Sequence, residues 1–148
     1  MLAQENDVAV SRRLARTLIV VGERIKGAFA EAMDQLDLPV PLARTLLALE
    51  EPEPMGDLAC HLRCDPSHIT GIADRLEERG LVRRVAGHDR RVKLLELTAD
   101  GAAMRDRIIA VATASSPTAR LDQAHRVELL SLLEQLVDEP IGASHQPS

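Results

Sequence analysis

The 148-residue chain predicts a mainly α-helical fold with a small two- or three-stranded β-wing, and three observations lead there. One long run, 8–36, keeps apolar residues at helical spacing. A second stretch holds two short apolar-periodic segments joined by a tight turn. A third, 82–98, reads VRRVAGHDRRVKLLELT, two β-type runs around a charged turn.

The first run places Val10, Leu14, Leu18, Val21, Ile25, Phe29, Ala32 and Leu36 three or four residues apart. Such a helix would be about 40 Å long at 1.5 Å per residue. A small monomer cannot cover that length, so a partner surface or an oligomer scaffold is expected. DLPVP (37–41) stops the helix: Pro39 and Pro41 cannot continue its interior, and Pro41 suits a first turn. A short apolar-rich helix is expected over 42–49. EEPEP (50–54) reads as an acidic, solvated connector.

Leu58, Ala59 and Leu62 mark another short helix. The next starts with Asp65 as cap and Pro66 at the first helical position. Its inward face is Ile69, Ile72, Ala73 and Leu76; Gly80 ends it, with Arg79 near its negative pole. Strands are expected at 81–85 and 92–97. Thr98 caps a helix over 99–113, which SSP (115–117) ends. Asp122 caps a last helix reaching 137, with Leu129, Leu130, Leu133, Leu136 and Val137 apolar. The polar, proline-containing tail at 139–148 is expected to fray. A helix-turn-helix followed by a hairpin is a winged helix.

Composition narrows the function. Phe29 is the only aromatic residue, which disfavours recognition of RNA or single strands by base stacking. No apolar run nears the roughly 18 residues of a membrane span, and the N-terminus lacks the pattern of a signal peptide. Two cysteines, Cys60 and Cys64, do not make a disulfide framework. A cytoplasmic location is therefore expected. The net charge of −5 argues against nucleic acid until its distribution is read. From His61 to Lys93 there are eight Lys/Arg and five Asp/Glu, a local charge of +3 that leaves −8 elsewhere.

The core of this stretch resembles the MarR family of transcriptional regulators. The matching pieces are Leu58-Ala59, Ser67, Thr70-Gly71, Asp74-Arg75-Leu76-Glu77, Arg79-Gly80-Leu81-Val82, Asp89-Arg90-Arg91 and Leu97-Thr98-x-x-Gly101. They cover about a third of the chain closely, and the order of elements matches over nearly its whole length. The resemblance implies one domain: a winged helix-turn-helix at about 38–98 between dimerisation helices at about 8–36 and 99–138. It further implies a homodimer on a palindromic double-stranded DNA operator, most often a repressor that releases DNA when a small ligand or oxidant acts. No cofactor, no membrane partner and no catalysis are expected. No nucleophile–base constellation, phosphate loop or metalloprotease motif is present.

With its apolar residues turned inward, the second helix of the motif shows Ser67, His68, Thr70, Gly71, Asp74 and Arg75 outward. Its N-terminal part is the part that enters a major groove. Ser67 and His68 suit phosphates or base edges near the entry; Thr70 and Gly71 suit the groove floor; Arg75 can reach a guanine edge or a phosphate. Glycine costs about 1 kcal/mol against alanine inside a helix, and close approach to DNA would explain Gly71. Asp74 is anionic and is expected to orient Arg75 or another cation. At the hairpin tip Arg91 matches the family's wing arginine and would enter a minor groove. Asp89 would hold Arg91 extended through a charge-assisted hydrogen bond, with Arg90 and His88 beside it. Arg63 in the helix-turn-helix turn is a further phosphate candidate, as are Arg83, Arg84 and Lys93 on the strands. The bland alternatives are a tolerated Gly71, an uninvolved His68 and a tip charged only for solubility.

The switch is less legible. The resemblance implies an effector crevice between dimerisation helices and winged helix, where Arg13, Arg16, Phe29 and Arg44 would meet an anionic or phenolic ligand. Each of the four also reads as an ordinary core or surface residue. Cys60-x3-Cys64-x3-His68 raises a redox or metal-responsive alternative. The first-helix cysteine of the family's peroxide sensors is missing. A winged helix used for protein–protein contact is the remaining alternative.

Overall fold

The computed structural model describes residues 2–137, with side chains from residue 6. Helix α1 spans Leu2–Gln35 and α2 Val40–Ala48; strand β1 is Glu53–Pro54. Helices α3 (Met55–His61) and α4 (Pro66–Glu78) form the helix-turn-helix. Strands β2 (Val82–Ala86) and β3 (Lys93–Leu97) form the wing. Helix α5 (Ala99–Ser115), a 3-10 turn (Pro117–Arg120) and α6 (Gln123–Glu134) close the described chain. The expected tail at 139–148 lies outside the described residues.

The helix-turn-helix turn has a specific backbone cause. Three junctions close with the same paired hydrogen bonds around a left-handed residue. After α4, Gly80 takes φ +70; its N–H donates to the Glu77 carbonyl and that of Leu81 to the Leu76 carbonyl, both at 2.9 Å. After α1 the left-handed residue is Asp37, and after α3 it is Arg63, each at φ 50. Arg63 N–H donates to Cys60 and Cys64 N–H to Ala59. Asp65 then caps α4, accepting from Ser67 N at 3.0 Å, with Pro66 in the first turn. Thr98 and Asp122 cap α5 and α6 in the same way, accepting from Gly101 N and His125 N.

The core lies between the winged helix and the parts of α1 and α5 that pack against it. Met33 of α1, Leu42 and Leu46 of α2, Leu58 of α3 and Ile69, Ile72, Ala73 and Leu76 of α4 are buried together. Val82 and Leu95 join them from the sheet, and Ile108 from α5. The expected inward face of α4 is the observed one. The base of the wing is locked to α5: Thr98 N–H donates to the Leu81 carbonyl and its hydroxyl to the Gly80 carbonyl at 2.6 Å. A Cβ on Gly101 would stand 1.8 Å from the Leu81 carbonyl oxygen, so only glycine permits this approach.

Several boundaries differ from expectation. EEPEP is not wholly a solvated connector. Glu53 and Pro54 pair antiparallel with Leu95 and Leu94, giving a three-stranded sheet in the order β1-β3-β2. Proline is tolerated because this strand is an edge. Leu81 belongs to the closing turn of α4, so β2 begins one residue later than expected; β3 likewise begins at Lys93. Helix α1 begins upstream of residue 8, and the 3-10 turn follows Ser116, whose side chain caps it.

Outside the winged helix, apolar surface is left uncovered. Val10 and Leu14 on α1 are 56% and 54% exposed. Val127, Leu130 and Leu132 on α6 are exposed, and α6 has no buried residue. Among the described residues no helix is long and apolar enough to cross a membrane.

Candidate nucleic-acid interface

Burying Ile69, Ile72, Ala73 and Leu76 leaves Ser67, His68, Thr70, Gly71, Asp74 and Arg75 exposed along the opposite face of α4. The Ser67 hydroxyl donates to Asp65 at 2.7 Å, and that of Thr70 to the Pro66 carbonyl at 3.2 Å. The hydrogen bonds from the Ser67 hydroxyl and the Ser67 backbone N–H hold the Asp65 carboxyl below the usual carboxylate range. A Cβ on Gly71 would meet nothing within 4 Å. Packing within the chain therefore does not require glycine there, and the space over it is open.

The wing tip is an ordered turn. Gly87 N–H donates to the Val92 carbonyl and Val92 N–H to the Asp89 carbonyl, both at 2.9 Å. His88, Asp89, Arg90 and Arg91 are all exposed. Asp89 does brace Arg91, but by accepting from its backbone N–H at 3.0 Å, not from its guanidinium as expected. The carboxylate fixes the turn and leaves the Arg91 side chain to project.

The strand cations behave differently from expectation. Arg83 is matched in register with Glu96 and paired to it at 2.7 Å. Arg84 reaches across to α4, where its guanidinium engages Asp74 at 2.5 Å and also Glu77. Asp74 thus orients another cation, and that cation is Arg84 rather than Arg75. The hydrogen bond that Arg84 donates to Asp74 raises the pKa of its guanidinium above the ordinary value. Lys93 is exposed. Among the described residues Arg63, Arg75, Arg90 and Arg91 make no side-chain hydrogen bond or ion pair, whereas Arg79 and Arg105 are tied to carbonyls of Asp37 and Leu49.

The profile described as the MarR family matches residues 45–93, the stretch from α2 through the wing. A MarR-family transcriptional regulator from Rhodococcus sp. RHA1 is 30% identical with a TM-score of 0.69, over 85% of this chain and 93% of that one. The chain belongs to the MarR family. CouR from Rhodococcus jostii RHA1, solved bound to p-coumaroyl-CoA, is 29% identical with a TM-score of 0.70, over 93% of this chain and 97% of that one. The HTH-type transcriptional repressor NicR from Pseudomonas putida is 35% identical over 104 residues, which are 67% of this chain and 66% of NicR. MarR-family members are transcriptional regulators, not enzymes.

The MarR-family effector candidates do not form one site within a chain. Arg13 and Arg16 line an open bay of about 460 Å³ on α1, with Ala9, Arg12 and Thr17. Phe29 lies about 24 Å further along the same helix at 1.5 Å per residue, half-buried against the core. Arg44 lines a separate cavity of about 110 Å³ between α2 and α4, with Val40, Pro41, Leu62, Cys64, His68 and Ile72. That cavity joins His68, expected on the DNA side, to Arg44, expected on the ligand side. The cysteine–histidine spacing does not gather a metal site: Cys60 is exposed and stands outside this cavity, both thiols are free, and no metal-holding cluster occurs among the described residues.

Sequence reasoning missed the double grip of Arg84 and the pairing of His61 Nδ1 with Glu53 Oε1 at 2.7 Å. Burial pushes the Glu53 carboxyl up, and His61 opposes that shift. The available signal for Arg84 was Asp74 and Glu77, three apart on the outward face of α4, with a basic strand following. For His61 there was none, because β1 had no strand signature.

Proposed function

We propose that this MarR-family regulator is a homodimer that binds a palindromic double-stranded operator, acts as a repressor and releases DNA when a small anionic or phenolic ligand binds. One observation carries the reading. On the α4 and wing surface, Asp65, Asp74, Glu77, Asp89 and Glu96 are each engaged within the chain, whereas Arg63, Arg75, Arg90 and Arg91 are not. Among the described residues Glu78 of α4 is also unengaged, so four free arginines stand against one free carboxylate, a net cationic surface inside an acidic protein.

In this reading Ser67 and His68 meet phosphates or base edges at the groove entry, Thr70 and Gly71 lie at its floor, and Arg75 reads a base edge. Arg91 enters the flanking minor groove, with Arg90 and His88 on the backbone beside it. Arg63 takes a phosphate. A non-glycine left-handed residue costs about 1–2 kcal/mol, and a working side chain explains its retention there. Asp74 and Asp89 act as braces. Residues 38–98 form the DNA-binding part; α1, α5 and α6 cover each other's apolar faces across the two-fold axis.

NicR's designation as a repressor supports the sign of regulation, and CouR's ligand, a thioester of a phenolic acid, supports the ligand class. The α2–α4 cavity places Arg44 and His68 beside apolar Val40, Leu62 and Ile72, but at about 110 Å³ it has room for only a small part of such a ligand.

Selection of bound duplexes from a random pool, at stated salt concentrations, tests the reading. A palindrome with half-sites about one helical turn apart is expected, with affinity falling steeply as salt rises. No enriched sequence and little salt dependence would favour a protein-binding winged helix instead. A thermal-shift screen of aromatic carboxylates and phenols, with operator release as readout, tests the ligand class.

A further inference from the structure

We infer that Arg84 is a positioning residue that sets the angle between wing and recognition helix, so that Arg91 reaches its groove while α4 occupies the other. The inference rests on the DNA-binding reading above. Arg84 lies in β2 opposite Leu95, on the face of the hairpin that meets α4. Its side chain is only 25% exposed, and its planar fork grips two carboxylates spaced three residues apart on one helix face. A fork held at two points resists rotation as well as separation. Beyond the clamp, β2 and β3 pair only through Val85–Leu94 and Ala86–Lys93 before the tip turn begins. The tip therefore sits about 10 Å past the clamp at 3.3 Å per residue, a lever whose small rotations displace Arg91. Below the clamp, the Thr98 hydrogen bonds to Leu81 and Gly80 hold the base of the hairpin. At the level of the clamp β3 is also paired with β1 through Leu95 and Leu94, so the hairpin is not held by Arg84 alone. What Arg84 adds, among the described residues, is the side-chain ion pairing of the wing to α4 itself.

Electrostatics and positioning predict opposite signs, which makes the role testable. Asp74 and Glu77 are anionic beside the DNA face. Neutralising both as D74N/E77Q should strengthen DNA binding if only charge matters, and more so if Arg84 is thereby freed to touch a phosphate. If Arg84 positions the wing, the same double variant should weaken binding although two negative charges are gone.

The probe is the duplex that the wild-type protein enriches from a random pool, fluorescently labelled and titrated by anisotropy at several salt concentrations. We expect D74N/E77Q and R84Q each to lose about tenfold in affinity. Each should also flatten the salt dependence by about the one contact per protomer that R91A removes. R84Q added to R91A should cost little further, because both remove the same contact. R84K, a point charge that cannot fork, should restore part of the loss. Melting temperatures of all variants are measured alongside; should R84Q unfold, D74N/E77Q and R84K decide. Unchanged or tighter binding by D74N/E77Q would overturn the positioning role, as would full additivity of R84Q with R91A. A wild-type protein that enriches no duplex would overturn the DNA-binding reading itself.

Discussion

Two glycines of the same motif, Gly71 and Gly101, illustrate how one residue type serves opposite needs. Gly101 is glycine because a Cβ would collide with the Leu81 carbonyl. Gly101→Ala should destabilise the fold by about 1–3 kcal/mol, as overpacking does, lowering the melting temperature by several degrees. Gly71 has open space where a Cβ would go. Gly71→Ala should therefore stabilise the protein, by about 1 kcal/mol for a helix interior, while weakening operator binding. Calorimetry and DNA titration on the same preparation check both signs; tighter operator binding by the alanine variant would remove Gly71 from the groove floor. The sequence placed both glycines at the right positions. It could not tell them apart, because the difference lies in what stands opposite the missing side chain.

Helices and wing show which contacts are local and which are not. The caps were legible because an N-cap and its recipient lie two or three residues apart, as Asp65 with Ser67 and Asp122 with His125. Both carboxyls are held below their ordinary range by these hydrogen bonds. Their contribution is thus fully present above the unfolded value near pH 4 and is lost as pH falls through the lower folded value. The melting-temperature gap between wild type and Asp65→Ala should accordingly narrow below about pH 4; a gap that stays constant to pH 2 would refute the charged cap. The division of labour between α4 and wing makes a second prediction. Arg91→Ala should weaken operator binding by at most a few kcal/mol without unfolding the dimer, whereas Arg75→Ala should also change base preference. Repeating the duplex selection with each variant separates the two, and an even loss across sequences for Arg75→Ala would make it a phosphate contact. Strand β1 was illegible for the converse reason. Two residues carry no period, and Glu53 and Pro54 become a strand only because β3 lies beside them.

At the scale of the whole molecule, one chain buries a single core between the winged helix, the end of α1 and α5, and leaves the N-terminal stripe of α1 and the α6 stripe open. Burying a leucine side chain is worth roughly 1.5–3 kcal/mol, and in the proposed homodimer these stripes are what a second copy would cover. Light scattering should give about twice the 16.2 kDa of one chain. Leu130 is 56% exposed, so Leu130→Lys should cost the isolated chain little and shift a dimer toward monomer. An unshifted dimer would place the interface elsewhere than α6. Amphipathic periods, helix stops and caps, the basic segment and the motif residues of α4 and the wing are all written in neighbouring residues, and local chemistry suffices to read them. The third strand, the grip of Arg84 on α4, the Gly101–Leu81 contact and the separation of Arg13, Phe29 and Arg44 each join or part residues distant in sequence. No period or propensity encodes such pairings; they exist only once the core has packed and brought particular faces together.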